Sequence, residues 1–283
     1  MRIALAQLSS TEDRAVNLDK VIDAIDRAAA EGAELFVVPE VVLDRFFPQY
    51  RCPEGIDRRT LAEPVPGPTV DRLAAKAREH EMVIVFNLYE LDEEGNTFDS
   101  SPVIDADGSL LGVTRMVHIT DFPRFHEQDY YTPGNSGAPV YDTRVGQIGV
   151  AICYDRHYPE YMRALGVAGA ELVVIPQAGV FGEWPEGMYE AEVRTAAFQN
   201  GYFTALCNRV GVEDDMTFAG ESFISDPEGR IVARGRVLEE DLVIADLDLG
   251  AARESTARRL FYRDRRPELY AAWIRERTEG SRS

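Results

Sequence analysis

The chain has 283 residues, 45% hydrophobic and 28% charged, enough for one sizeable core in one soluble domain spanning 1–283. A net charge of −19 repels nucleic-acid phosphate, and no apolar run is long enough to span a bilayer, so neither nucleic acid nor membrane is an expected partner. Cys52, Cys153 and Cys207 form no disulfide or metal-ligand pattern, and the N-terminus is too short and too soon polar for a signal peptide; a cytoplasmic protein with no metal is expected.

Arg2–Leu8 reads as a strand, and Asp13–Ala30 as a helix with Val16, Ile22, Ile25 and Ala29 on its apolar stripe and Gly32 beyond its end. Leu35–Val38 is a short strand ending at Pro39-Glu40, and Gly55–Pro68 a loop. Thr69–His80 is a helix and Met82–Leu88 a strand. Phe98–Asp105 and Leu110–His118 form a hairpin about Ala106-Asp107-Gly108. Thr120–Ala138 is a long irregular loop, the kind that often carries function. Val145–Ile152 is a strand, Tyr158–Ala168 a helix, Glu171–Ile175 a strand and Gln177–Gly187 a loop. Gly187–Asn200 is a helix with Met188, Ala191, Ala196 and Phe198 apolar. Tyr202–Asn208, Ser222–Ser225, Arg230–Ala233 and Leu242–Leu247 are strands, followed by a polar helical tail. Helices alternating with strands and hairpins imply a layered α/β protein with mixed sheets. The arginine-rich tail, about 250–283, suits packing at a subunit interface; a solvated helix is the alternative.

Cys153 closes the apolar run Ile148–Ile152 and opens a charged turn, Tyr154-Asp155-Arg156-His157. A thiol at the end of a buried strand faces a crevice mouth, where open α/β sheets place their chemistry. The Tyr154 backbone N–H could donate to an oxyanion there. On position alone, a small core hydrophobe is the commoner reading of Cys153. Glu40 ends another buried strand and Glu127 lies in the long loop. Gln177 ends a further strand and is placed at a pocket. Tyr130, Phe181 and Trp184 are loop aromatics that could wall it.

Taken together and in order, these motifs resemble the nitrilase superfamily of carbon–nitrogen hydrolases over about residues 2 to 270. The likeness rests on Ala4-Leu5-Ala6-Gln7, Val37-Val38-Pro39-Glu40, Leu110-Leu111-Gly112 and the loop Phe125-His126-Glu127-Gln128-Asp129-Tyr130-Tyr131-Thr132-Pro133-Gly134. It continues with Gly149-Val150-Ala151-Ile152-Cys153-Tyr154-Asp155, Asn208-Arg209-Val210-Gly211 and Arg263-Asp264-Arg265-Arg266-Pro267-Glu268. The Cys-Tyr-Asp-Arg-His core and the last motif are most similar to N-carbamoyl-amine and aliphatic amidase branches. The resemblance implies a four-layer α-β-β-α sandwich that dimerises, with no cofactor. It implies Cys153 as nucleophile, Glu40 as general base and Glu127 as a second, substrate-positioning carboxylate. Its implied substrate is a small amide or N-carbamoyl compound. Arg156, with His157 beside it, would hold a substrate carboxylate; an ion pair with Asp155 or Glu160 is the ordinary alternative for that arginine.

One position departs. The family carries a lysine in an Arg-Lys-x-His stretch after the hairpin, and here that stretch is Arg115-Met116-Val117-His118. Only Lys20 and Lys76 occur among the 30 basic residues, both on expected helices far from the motif. Three readings stay open. The chain is an active hydrolase in which Arg115, His118 or a protonated carboxyl replaces the lysine. It is an impaired relative that binds an amide-like molecule without efficient turnover. Or Met116 is an engineered substitution. With no cation between them, Glu40 and Glu127 would repel when both ionised, so one should hold a proton near neutrality.

Overall fold

In the computed structural model, which describes residues 1–278, burial sorts the chain into four layers. The elements run β1 (Arg2–Gln7), α1 (Arg14–Ala30), β2 (Leu35–Val37), α2 (Pro68–His80), β3 (Val83–Val85), β4 (Leu88–Leu91), β5 (Thr97–Ile104) and β6 (Leu110–Arg115). They continue with β7 (Val140–Thr143), β8 (Gly146–Val150), α3 (Pro159–Ala168), β9 (Leu172–Gln177), α4 (Met188–Asn200), β10 (Phe203–Asn208), β11 (Val210–Glu213) and β12 (Met216–Ala219). Last come β13 (Phe223–Ser225), β14 (Ile231–Arg234), β15 (Asp241–Asp246), α5 (Gly250–Glu254) and α6 (Pro267–Thr278). Among the described residues no helix is long and apolar enough to cross a membrane. The end of the expected tail, 279–283, lies outside the described residues.

One sheet has the order β15-β1-β2-β3-β5-β4, with β6 also on β5; the other runs β14-β13-β10-β9-β8-β7. Each has parallel strands at its centre and antiparallel ones at its rims. Because side chains alternate along a strand, every central strand feeds two cores. Leu5, Val37 and Val85 of one sheet meet Val150, Val174 and Ala205 of the other. Their neighbours Ala4, Phe36 and Ile84 pack outward with α1 and α2, and Val173 and Leu206 pack outward with α3 and α4. Strands buried on both faces read as continuous apolar runs, which makes them visible in the sequence.

Local signals set the helix ends. The Asp13 side chain accepts hydrogen bonds from the Ala15 and Val16 amides and starts α1. Pro68 and Pro159 open α2 and α3, and Gly169, at φ 103°, closes α3. Two expected stripes are rotated. The buried face of α1 is Asn17, Val21, Ala24, Ile25 and Ala28, and Val16 is half exposed. In α4 the buried residues are Val193, Ala197 and Asn200, leaving Met188 and Phe198 at the surface. The expected strand Met82–Leu88 is broken at Asn87, whose side chain bonds the Val41 amide, Asp99 and Ser101. The hairpin β11–β12 and strand β7 are additional to the expected elements. The tail is α5, a π-helical turn at Ala257–Phe261, and α6.

Candidate active site

Two elbows at strand ends bring Glu40 and Cys153 together. After β2 the chain turns at Glu40-Val41, and Val41 takes a left-handed φ of 46°. After β8 it turns at Cys153, at φ 40°, into a 3₁₀ turn ending at His157. Non-glycine residues avoid this region, so the surrounding bonds must hold both elbows. Val41 N–H donates to Asn87 at 2.6 Å, while the fully buried Arg209 donates to the carbonyls of Glu40 at 2.9 Å and Val41 at 2.6 Å. The Cys153 turn is fastened by Asp155, which accepts from the Val117 amide, the His118 amide at 3.0 Å and His118 Nδ1 at 2.7 Å. Met116, just before this fastening, has its own bonds: its amide donates to Asp99 O at 2.9 Å, and its carbonyl accepts from Gly134 N–H at 2.7 Å. A Cβ on Gly134 would lie 2.3 Å from Arg115 O, so glycine is required for this approach.

Glu40 and Glu127 are 0% exposed and Cys153 is 5% exposed. Burial first, then the Glu40 and Glu127 charges, push the Cys153 thiol well above its usual range. Burial, Asp99 and Glu127 raise Glu40 well above the usual carboxylate range. Burial and then Asp99 raise Glu127 likewise. Gln177 Nε2 approaches Cys153 Sγ at 3.3 Å, and Gln177 Oε1 accepts from Arg156 Nε at 3.0 Å.

Asp99, on β5, is a third carboxylate of this cluster. Its Oδ1 accepts from Asn87 at 2.7 Å and its Oδ2 has no partner. Neither oxygen of Glu40 has a donor, although Glu40 lies within hydrogen-bonding reach of Asp99. Facing carboxylates disfavour charge on one another, so Asp99 acts on Glu40 as well as Glu127 does. Met116 is 0% exposed and packs in the inter-sheet core with Cys153, Tyr130 and Tyr131. The Tyr131 hydroxyl is buried without a partner, and burial followed by Asp99, Glu40 and Glu127 raises it well above its usual range.

Burial moves Asp99 from 3.8 up to about 6. Between those values the folded chain binds a proton that the unfolded chain has released. Stability from this site is therefore complete below about pH 4 and is lost as pH rises through about 6; two units correspond to ~3 kcal/mol. Asp99→Asn keeps an acceptor for Asn87 and removes the charge. Denaturant unfolding should find it more stable than the parent by up to ~3 kcal/mol at pH 8, with the gain vanishing near pH 4. A gain independent of pH would contradict the assignment.

The other expected site residues fall in two groups. Arg156 pairs with Glu192 of α4 and lies over the Tyr189 ring, and His157 Nδ1 is 2.8 Å from the same Glu192. The partner of Arg156 is thus neither Asp155 nor Glu160. Trp184 packs edge-on to His157 and lines a cleft of about 520 Å³ beside α4. Phe181 is 60% exposed. Tyr130 turns its hydroxyl to Tyr50 O and fills core against Phe47, so its neighbour Tyr131 is the tyrosine beside the carboxylates. Two candidates for the lysine's role are engaged elsewhere. Arg115 makes two bonds to Glu90 and covers Phe98, and His118 is held by Asp155 and stacked on Tyr158.

The carbon–nitrogen hydrolase family profile matches residues 2–257. The chain belongs to the carbon–nitrogen hydrolase family. It is 33% identical to N-carbamoylputrescine amidase of Solanum lycopersicum, over 95% of this chain and 93% of that protein. It is 32% identical to citrullinase of Francisella tularensis, over 98% and 99%. A carbon–nitrogen hydrolase from Helicobacter pylori G27 superposes with a TM-score of 0.88 at 28% identity, over 97% of this chain and 98% of that one. A mutant amidase from Nesterenkonia sp. AN1, carrying the acetamide moiety of fluoroacetamide on its active-site cysteine, gives 0.80 at 27% identity over 96% of each. The α-β-β-α arrangement of mixed sheets in this carbon–nitrogen hydrolase is accordingly that of the nitrilase fold.

Sequence reasoning missed Asp99 and Tyr131 in this carbon–nitrogen hydrolase. A signal for Asp99 was present: an acid inside the β-rich run Thr97–Ile104 needs a reason to be buried. Nothing in the adjacent pair Tyr130-Tyr131 told which ring faces the carboxylates.

Proposed function

We propose that this carbon–nitrogen hydrolase cleaves the C–N bond of a small amide or N-carbamoyl amine through a thioester on Cys153. The observation that carries the reading is a buried Cys153 thiol beside a buried Glu40 carboxyl whose charge acts on it, each on its own strand-end elbow. The resting sulfur is a thiol, so it needs a base as it attacks. One proton shared by Glu40 and Asp99 leaves a charge on the pair that accepts the thiol proton. Sulfur adds to the carbonyl carbon, and the oxyanion draws on the Tyr154 N–H and the proton of the carboxyl pair, as neutral acids do in other sites. Glu40 returns a proton to the departing nitrogen, and then activates water to release the acyl group. Glu127 and Gln177 position the substrate.

The finer features of this reading are a homodimer, formed on the C-terminal tail, in a reducing cytoplasm. Exposed Leu260, Phe261 and Trp273 on the tail, with Phe198 of α4 against Phe261, support a subunit contact there. Three free cysteines fit the reducing compartment. The test is a panel of amides, N-carbamoyl amines and N-carbamoyl amino acids, following ammonia release and the mass of the Cys153 peptide. Turnover with a transient acyl mass on Cys153 is the expected result. Thermal stabilisation by the same compounds, without ammonia or adduct, would replace the enzyme reading with that of a binding protein.

A further inference from the structure

We propose a further activity, resting on the Cys153 chemistry above: this site hydrolyses amidinium and guanidinium groups, whose reacting carbon bears NH₂⁺ where an amide bears oxygen.

The argument is one of unmatched acceptors. Glu40 Oε1 and Oε2, Asp99 Oδ2, Glu127 Oε1 and the Tyr131 hydroxyl are all buried without a partner. Tyr131 is only 3% exposed, and each of the three carboxylates acts on its hydroxyl. The arginines of the neighbouring segments are committed, Arg115 to Glu90, Arg156 to Glu192 and Arg209 to Glu213, and the His118 ring is held by Asp155. Met116 supplies packing and no charge. One proton shared by Glu40 and Asp99 still leaves negative charge beside the thiol, with no positive group there to offset it. An amide worsens that balance, because its oxygen becomes an anion during attack. An amidinium corrects it. It brings a positive charge and a plane of N–H donors that suits carboxylate acceptors. A lysine at 116 would repel such a substrate, so its absence fits this chemistry.

The electrons balance without an oxyanion. The Cys153 thiol gives its proton to the Glu40 carboxylate, and the thiolate forms a C–S bond to the amidinium carbon. The C=N π pair moves to nitrogen, leaving a neutral tetrahedral carbon with two amino groups. One of these takes the proton from Glu40, the C–N bond breaks and ammonia leaves. The lone pair of the other nitrogen forms the C=N of a cationic thioimidate. Glu40 then removes a proton from water as the water oxygen adds to carbon. The C–S bond breaks, the sulfur takes the hydroxyl proton, and the product is an amide, or a urea from a guanidinium. Glu40 releases its remaining proton to solvent, where the ammonia already expelled is taken up as ammonium.

The test pairs acetamidine, benzamidine and n-butylguanidine with acetamide, benzamide and n-butylurea. It follows ammonia, Cys153 adduct mass, and protection of Cys153 from iodoacetamide. The cationic member of each pair should have a kcat/KM at least ~10²-fold above its neutral partner, the scale of one charge-matched contact in a buried site. Benzamidine should slow alkylation where benzamide does not. Asp99→Asn should lower amidine turnover at least ~10-fold, and Met116→Lys should abolish it while amide turnover survives. Turnover of the amides or urea, with cations neither cleaved nor protective, overturns this activity and leaves the cysteine-hydrolase reading standing. Protection by cations without ammonia release overturns it too. No adduct on Cys153 from either class overturns both.

Discussion

Met116→Lys is expected to raise amide and N-carbamoyl hydrolysis by about 10²–10³, the amount that one oxyanion donor contributes in related chemistry. The backbone of residue 116 is held by Asp99, Gly134 and the Asp155 fastening, so a lysine would start from the same point as the methionine. Its ammonium would meet Glu40, Glu127 and Asp99, which now repel one another. Bringing an opposite charge to that cluster lowers all three carboxyls, so Glu40, in its proposed role as base, ionises at lower pH. The acid limb of the pH–rate profile should therefore move down in the variant. Parallel kcat and KM measurements on one amide, from about pH 5 to 9, check both effects. Equal rates and superimposed profiles would show that the shared proton already does what an ammonium does.

Arg209→Leu is expected to cost about 3–5 kcal/mol, the usual result of stripping one partner from a buried ion pair. Arg209 is 0% exposed and bonds Glu213 at 2.5 Å as well as the carbonyls of Glu40, Val41 and Asp44. Glu213 also accepts the Phe46 amide at 2.6 Å, so its carboxylate cannot simply turn to solvent. Removing the guanidinium leaves a buried charge and three carbonyls short of donors. Because two of those carbonyls belong to the Glu40 elbow, kcat should fall together with stability. Guanidinium chloride unfolding measures the first effect. A variant as stable as the parent would mean that the elbow closes without the arginine.

Much of this fold could be read from residues. The central strands announced themselves because both their faces are buried, and the helix ends because Asp13, Pro68, Pro159 and Gly169 act locally. Glu40, Glu127, Cys153 and Gln177 were all proposed from strand ends and one loop, and the structure brings them together. The rest depended on distant partners. Val16 looked apolar and in phase, yet the buried face of α1 is set by where the sheet lies. Arg156 carried no sign that Glu192, on another helix, would claim it. Asp99 needed knowledge that β5 runs behind Glu40 before its carboxyl meant anything. The β11–β12 hairpin was hidden because Val210–Glu213 and Met216–Ala219 are short and their turn is two acids rather than glycine.

Val41 and Cys153 are two of seven left-handed non-glycine residues among those described, and they have a consequence for how this protein can be improved. Each is a position where glycine would relax the backbone, and each is adjacent to, or is, a proposed reacting group. A search for stabilising substitutions that ranks positions by local strain would select these among others. The tolerance gained there would come from letting Glu40 and the thiol drift apart. Relief of backbone strain therefore belongs at the other left-handed positions, Glu81, Arg124, Asp214, Glu221 and Leu238, and not at the two elbows that hold the proposed reacting groups.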